Sequence, residues 1–144
     1  IDGYTQPGTS ANTLPFGDNA VLLVEIDGSG GNAGSAVRIS AGNSIVRGLV
    51  INRFTNNGQG AILLQTGGGD RVEGNFIGTD PTGMLDLGNG VGVRIGISDD
   101  NNFASSSNSA IGGINPASRN VISGNSTGIR IYNESRCREA RKSK

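Results

Sequence analysis

An all-β repeat fold, a solenoid of stacked coils, is the architecture this sequence predicts. Three observations carry that reading. Short aliphatic segments recur about every 25 residues: Ser44–Ile51, Arg71–Ile77 and Val121–Asn125 form one series. A second series is offset from it, at Ala36–Ile39, Ala61–Leu64, Val93–Ile95 and Ile129–Ile131. The spaces between are filled by 25 Gly and 16 Asn, the residues that tolerate the left-handed backbone of sharp corners. A repeat of roughly 20 to 50 residues marks units that bury a face only against their neighbours. No window has helical spacing, so a wound α/β fold is not expected.

Along the chain, residues 1–20 are rich in turn formers, among them Pro7-Gly8, Pro15 and Gly17. Val21–Ile26 reads as a strand, stopped by Asp27-Gly28-Ser29-Gly30-Gly31. From Ala36 the two series interleave, and the coil lengthens by insertion at 79–90 and 98–108. Inserted loops of solenoids gather on one face, often the binding face. Within each strand the apolar positions alternate: Val37/Ile39, Ile62/Leu64, Val93/Ile95 and Ile129/Ile131. Period two puts these pairs on one side and Arg38, Leu63, Arg94 and Arg130 on the other. Stacking in register predicts inner aliphatic columns, an outward Arg column, a Gly48/Gly74/Gly124 column, and Asn75 beside Asn125. A column of Asn forms an amide ladder.

Composition removes several functions. Residues 1–133 carry seven Arg against ten Asp and Glu, whereas 134–144 carry five basic and two acidic side chains. A near-neutral body with few aromatics has no footprint for nucleic acid. No apolar run approaches the length of a membrane span, so membrane insertion is not expected. Cys137 is the only cysteine and histidine is absent. A Cys/His or Ser/His nucleophilic pair is therefore excluded within this chain, as is a histidine zinc site. Cys137 lies between Arg136 and Arg138, which favour its thiolate.

Several phrases point further. Ile1-Asp2-Gly3-Tyr4-Thr5-Gln6-Pro7-Gly8, Val50-Ile51-Asn52-Arg53-Phe54, Glu73-Gly74-Asn75-Phe76-Ile77-Gly78-Thr79-Asp80 and Asn120–Asn125 stand in order along the chain. Together they resemble bacterial right-handed parallel β-helix repeat proteins of the pectin-lyase-like superfamily, from about residue 1 to residue 132. The resemblance implies a coil of three short parallel sheets, usually within a longer secreted or surface-attached protein. It leaves activity open, because the superfamily holds polysaccharide lyases and hydrolases, phage tailspikes, adhesins and repeats without known activity. Residues 134–144 do not share it.

Catalytic candidates are carboxylates. Glycoside hydrolysis needs one carboxyl group to protonate the leaving oxygen and another to activate water or attack. Asp99 and Asp100 form an adjacent pair, as in the superfamily's polygalacturonases, but the accompanying His and Arg-x-Lys motifs are missing. Adjacent strand residues also face opposite ways, so an Asx-rich turn is the plainer reading. A lyase alternative uses an Arg of the outward column as base, with calcium held by loop carboxylates such as Asp80 and Asp86. Those aspartates match no recognised ligand string, and Gly67-Gly68-Gly69-Asp70 occurs once only. Gly28–Ala33 fits a dinucleotide fingerprint in letters but lacks the helix that must follow it.

The sequence thus predicts one right-handed parallel β-helix of roughly five coils over residues 1–133, with a basic polar tail over 134–144. The leading functional expectation is a non-catalytic extracellular scaffold, or a surface binding a polysaccharide or partner, without cofactor. The alternative is a lyase or hydrolase of acidic polysaccharide, working between the two inserted loops with calcium. Neither end shows a capping helix, which predicts self-association through an end or membership of a longer array.

Overall fold

The computed structural model describes residues 1–31, 34–55, 58–99, 102–104 and 106–132. The 134–144 tail with Cys137, and Asp100, lie outside the described residues. Among those described the fold is all-β, with no α-helix and two single-turn 3₁₀ segments, Gly3–Thr5 and Pro116–Ser118.

The first sheet contains β1 (Val24–Asp27), β4 (Leu49–Asn52), β7 (Phe76–Ile77) and β12 (Val121–Ile122), in that spatial order. The second contains β2 (Val37–Ile39), β5 (Ile62–Leu64), β8 (Val91–Ile95) and β13 (Thr127–Ile131). The third contains β3 (Ile45–Arg47), β6 (Arg71–Glu73) and β11 (Ala110–Ile111). Every pair in these sheets is parallel. One antiparallel hairpin, β9 (Ile97–Asp99) with β10 (Asn102–Ala104), is inserted between β8 and β11. Apart from it, the chain visits first, second and third sheet in unvarying rotation.

The register follows the aliphatic alternation. Val37, Ile62, Val93 and Ile129 are successive partners, as are Ile39, Leu64, Ile95 and Ile131. Arg38, Leu63, Arg94 and Arg130 form the alternate column. The main core joins the inward residues of all three sheets, including Leu49, Ile51, Ile62, Leu64, Val72, Ile77 and Val93. Corners are short because glycine makes them so. Gly48 alone separates β3 from β4, at a φ of 71° that residues with a Cβ rarely adopt.

Each corner is tied to the next layer by a polar ladder. At the corner between third and first sheets, Asn75 accepts from Leu49 N at 3.1 Å and donates to Val46 O at 3.0 Å. Asn120 repeats the pattern one layer on, accepting from Asn75 N at 2.9 Å and donating to Val72 O at 2.8 Å. Between first and second sheets, Asn89 accepts from Phe54 N and donates to Ile51 O, while Asn125 accepts from Asn89 N and donates to Ile77 O. At the third corner, Asp70 accepts from Ser44 N at 3.0 Å, and its own N–H donates to Ser109 Oγ.

These ladders correct one expectation. Asn75 stacks with Asn120, and Asn125 with Asn89. The pairing of Phe76 with Val121 fixes this, because it sets Asn75 opposite Asn120. Gly124 likewise leaves the Gly48–Gly74 column and lies against Gly78 and Asp86. The Gly-Asn phrase recurs at two different corners, and local likeness does not say which.

Residues 1–22 were expected as turns followed by a strand from Val21. Instead Asp2 bridges Arg47 in parallel, placing a further rung beside β3. Val21 pairs antiparallel with Ser10, and β1 begins only at Val24. The segment between straps the outer side of the first sheet. There Leu22, Val50 and Phe76 are buried, with Tyr4, Ala20 and Val121 packed against them. Val50 and Phe76 are outward residues of an otherwise exposed face, so the strap completes a second, smaller core.

Candidate functional site

The inserted loop after β7 is folded on itself. Thr79 bridges Asp86 in antiparallel fashion, and Arg53 N donates to Leu87 O, tying the loop to the corner beneath. Asp80 Oδ1 accepts from Met84 N and Leu85 N, both at 3.0 Å, and the carboxylate also accepts from the Thr82 hydroxyl. These bonds, the Leu85 N–H first and the Thr82 hydroxyl second, hold the Asp80 carboxyl down to about 2. Asp86 accepts from Gly88 N at 3.0 Å. Both aspartates therefore already shape their own loop, and Met84 and Leu85 stand exposed at its tip.

Asp99 ends β9, opposite Asn102 across the hairpin. Asp80 and Asp86 thus belong to the loop that leaves the first sheet, and Asp99 to the hairpin that leaves the second. No group of three or more Asp, Glu, Cys or His able to hold a metal occurs among the described residues.

The Arg column is not an open cationic face. Arg94 is buried, its Nε donates to Gly96 O at 3.2 Å and an Nη donates to Gly58 O. Its guanidinium lies 4.7 Å from the centre of the Tyr132 ring. Leu63, in the same column, is also buried. Arg130 donates to Thr127 Oγ1 at 3.3 Å, and Arg38 to Gln65. The outward residues of the second sheet are knitted into their surroundings, with Arg94 least free to act as a base.

A groove of about 500 Å³ opens where the strap meets the last layer of the first sheet, lined by Pro15, Phe16, Gly17, Asp18, Arg119 and Val121. Arg119 builds it. Its guanidinium donates to Gly17 O at 2.6 Å, Pro15 O at 3.0 Å and Leu14 O at 3.4 Å. Asn12 adds a longer bond to Pro116 O. The turn is thereby held out from the sheet, and Phe16 at its tip is 89 % exposed. Asp18 Oδ1 caps the turn by accepting from Ala20 N, while its Oδ2 is buried without a hydrogen-bond partner. The Asp18 charge also acts on Tyr4, whose phenol is pushed up to about 12, by burial first and by Asp18 second. That phenol donates to Gly74 O at 2.8 Å. An exposed ring beside charged and carbonyl groups suits a ligand with both apolar and hydroxyl-bearing faces.

None of the groove residues was picked out from the sequence as part of a site; Pro15 and Gly17 were read only as turn formers and Val121 as part of a repeat strand. Arg119 and Gly17 are brought together from opposite ends of the described chain, and no local pattern announces such a contact. Comparison of the chain with protein-family models, curated proteins and solved structures gave no match.

Proposed function

We propose that this chain is a right-handed parallel β-helix, of about four coils where roughly five were expected, of the pectin-lyase-like kind, serving outside the cell as a non-catalytic module that offers a polysaccharide or partner a binding surface. The observation that carries this reading is the unvarying rotation of the chain through three parallel sheets. Return to the same sheet in parallel requires a crossover, and such crossovers are right-handed in about 98% of cases. The corner ladders support it, because the two asparagine ladders each repeat one layer up with the same donor and acceptor roles. The non-catalytic part rests on the loop carboxylates Asp80 and Asp86, which accept hydrogen bonds from their own loop. The binding surface is the Phe16–Arg119 groove.

The test is incubation with neutral and acidic polysaccharides in the presence of calcium, followed by size-exclusion chromatography. Intact polymer that carries the protein with it, and carries less of a Phe16→Ala variant, is the expected result. Shortened polymer, restored to full length by Asp99→Asn or Asp100→Asn, overturns the non-catalytic reading. Intact polymer eluting without the protein overturns polysaccharide binding.

A further inference from the structure

The two ends of the sheet stack differ. At the lower end, the inward residues of β2 are covered, with Val37 6 % and Ile39 8 % exposed, and the rung at Ile1–Asp2 lies beside β3. At the upper end, β13 is hydrogen-bonded to β8 and, among the described residues, has no strand on its other side. Its inward residues Ile129 and Ile131 are 44 % and 68 % exposed, although their partners one layer down are fully buried (Val93) and partly buried (Ile95). Among the described residues, the upper strands of the other two sheets, β11 and β12, also have a neighbour on one side only. Residues 133–144, next in the chain, contain no Val, Ile, Leu, Met or aromatic residue.

We propose that the upper end is an interface for the same end of a second copy, giving a closed two-fold dimer in which β13 pairs antiparallel with β13. A strand edge is its own complement under a two-fold axis, since each copy gives and receives the same N–H···O bonds. Pairing centred on Ile129 puts Ile131 opposite Thr127 of the second copy, on the inward side. It also puts Arg130 opposite Gly128 of the second copy and so avoids two facing arginines. The two-fold axis then sets β12 of each copy against β11 of the other. Head-to-tail stacking is the poorer arrangement. It offers Ile129 and Ile131 an end whose own aliphatic residues are already covered, sets Arg130 over Arg38, and never closes. The interface depends on the edge of the second sheet and not on any ligand bound in the Phe16–Arg119 groove.

Sedimentation equilibrium over a wide concentration range tests this. The expected mass doubles and then stays constant. Ile131→Lys, at a position already exposed, is expected to remain monomeric, with the melting temperature that the native chain shows when diluted below its dimer range. Ile45→Lys, an exposed residue of the lower layer, is expected to dimerise as before. A second test uses Ile129→Cys together with Cys137→Ser. Because Tyr132 N donates to Ile95 O, the backbone groups of Ile129 and Ile131 face the free edge; a hydrogen-bonded antiparallel pair at Ile129 has a Cα separation of about 5.5 Å, within disulfide range, so mild oxidation should yield a covalent dimer. A monomer at every concentration overturns the proposal, as does growth beyond the dimer, or a dimer that Ile131→Lys leaves intact and Ile129→Cys does not cross-link.

Discussion

Asn75 and Asp70 occupy equivalent corners, yet one is an amide and the other an acid for a physical reason. Asn75 must both accept, from Leu49 N and with its own N–H given to Asn120, and donate to Val46 O and Glu73 O. Asp70 has only donors around its carboxylate, Ser44 N and Ser106 Oγ. Exchanging the types should therefore be asymmetric. Asn75→Asp sets a carboxylate against two carbonyls and is expected to cost about 3 kcal/mol or more. Asp70→Asn keeps an acceptor toward Ser44 and is expected to cost about 1 kcal/mol. Chemical denaturation of the two variants checks the order, and equal losses would contradict it.

Tyr4 supplies a pH signature at the same scale. Its folded phenol titrates near 12 against an ordinary 10.0, so the folded state keeps a proton that the unfolded chain gives up. The sign follows directly. The contribution of Tyr4 is complete below pH 10 and is lost as pH rises from 10 toward 12. Stability measured between pH 9 and 11.5 should fall more steeply for the native chain than for Tyr4→Phe. Asp18→Asn should reduce that difference, since the charge at 18 is part of what keeps the phenol protonated. Parallel curves for the three proteins would refute the assignment.

At the level of elements, the strands and their register were legible in the sequence. Alternation of Val37/Ile39 with Arg38, repeated at 62–64, 93–95 and 129–131, sufficed, because a slip by one residue would turn every aliphatic side chain outward. Corner contacts were legible only in type. Gly and Asn announce a corner without saying which corner they stack on, and the Asn75–Asn120 and Asn89–Asn125 ladders emerged only from the paired strands. The strap was not legible at all. Its apolar residues fall at irregular intervals, and its anchor is a single Arg119 donating to three backbone carbonyls far away in sequence. The same contact shapes the groove, so the candidate site stayed hidden with it. Arg119→Ala should release the turn while leaving the sheets intact. The expected loss is about 1–2 kcal/mol, with faster amide exchange at Ser10 and Val21 and unchanged exchange in β5. Equal acceleration in β5 would show that the strap is part of the main cooperative unit.

For the whole molecule, three parallel sheets share one core, and each layer contributes inward aliphatic residues to all three. Stability then resides in neighbouring layers, and an uncovered terminal layer is the weak place. The exposed Ile129 and Ile131 mark that layer at the upper end, where the register continues but the burial does not. Function is expected on the periphery, where the strap and the inserted loops break the regular surface. The central claim is the parallel register that winds these peripheral parts onto a common frame. Long-range nuclear Overhauser contacts between backbone protons of the second sheet test it most directly. The account predicts contacts from Ile62 to both Val37 and Val93, and from Val93 to Ile129, at the spacing of adjacent parallel strands. Contacts linking β2 to β3 as an antiparallel hairpin, with none between Ile62 and Val93, would contradict it.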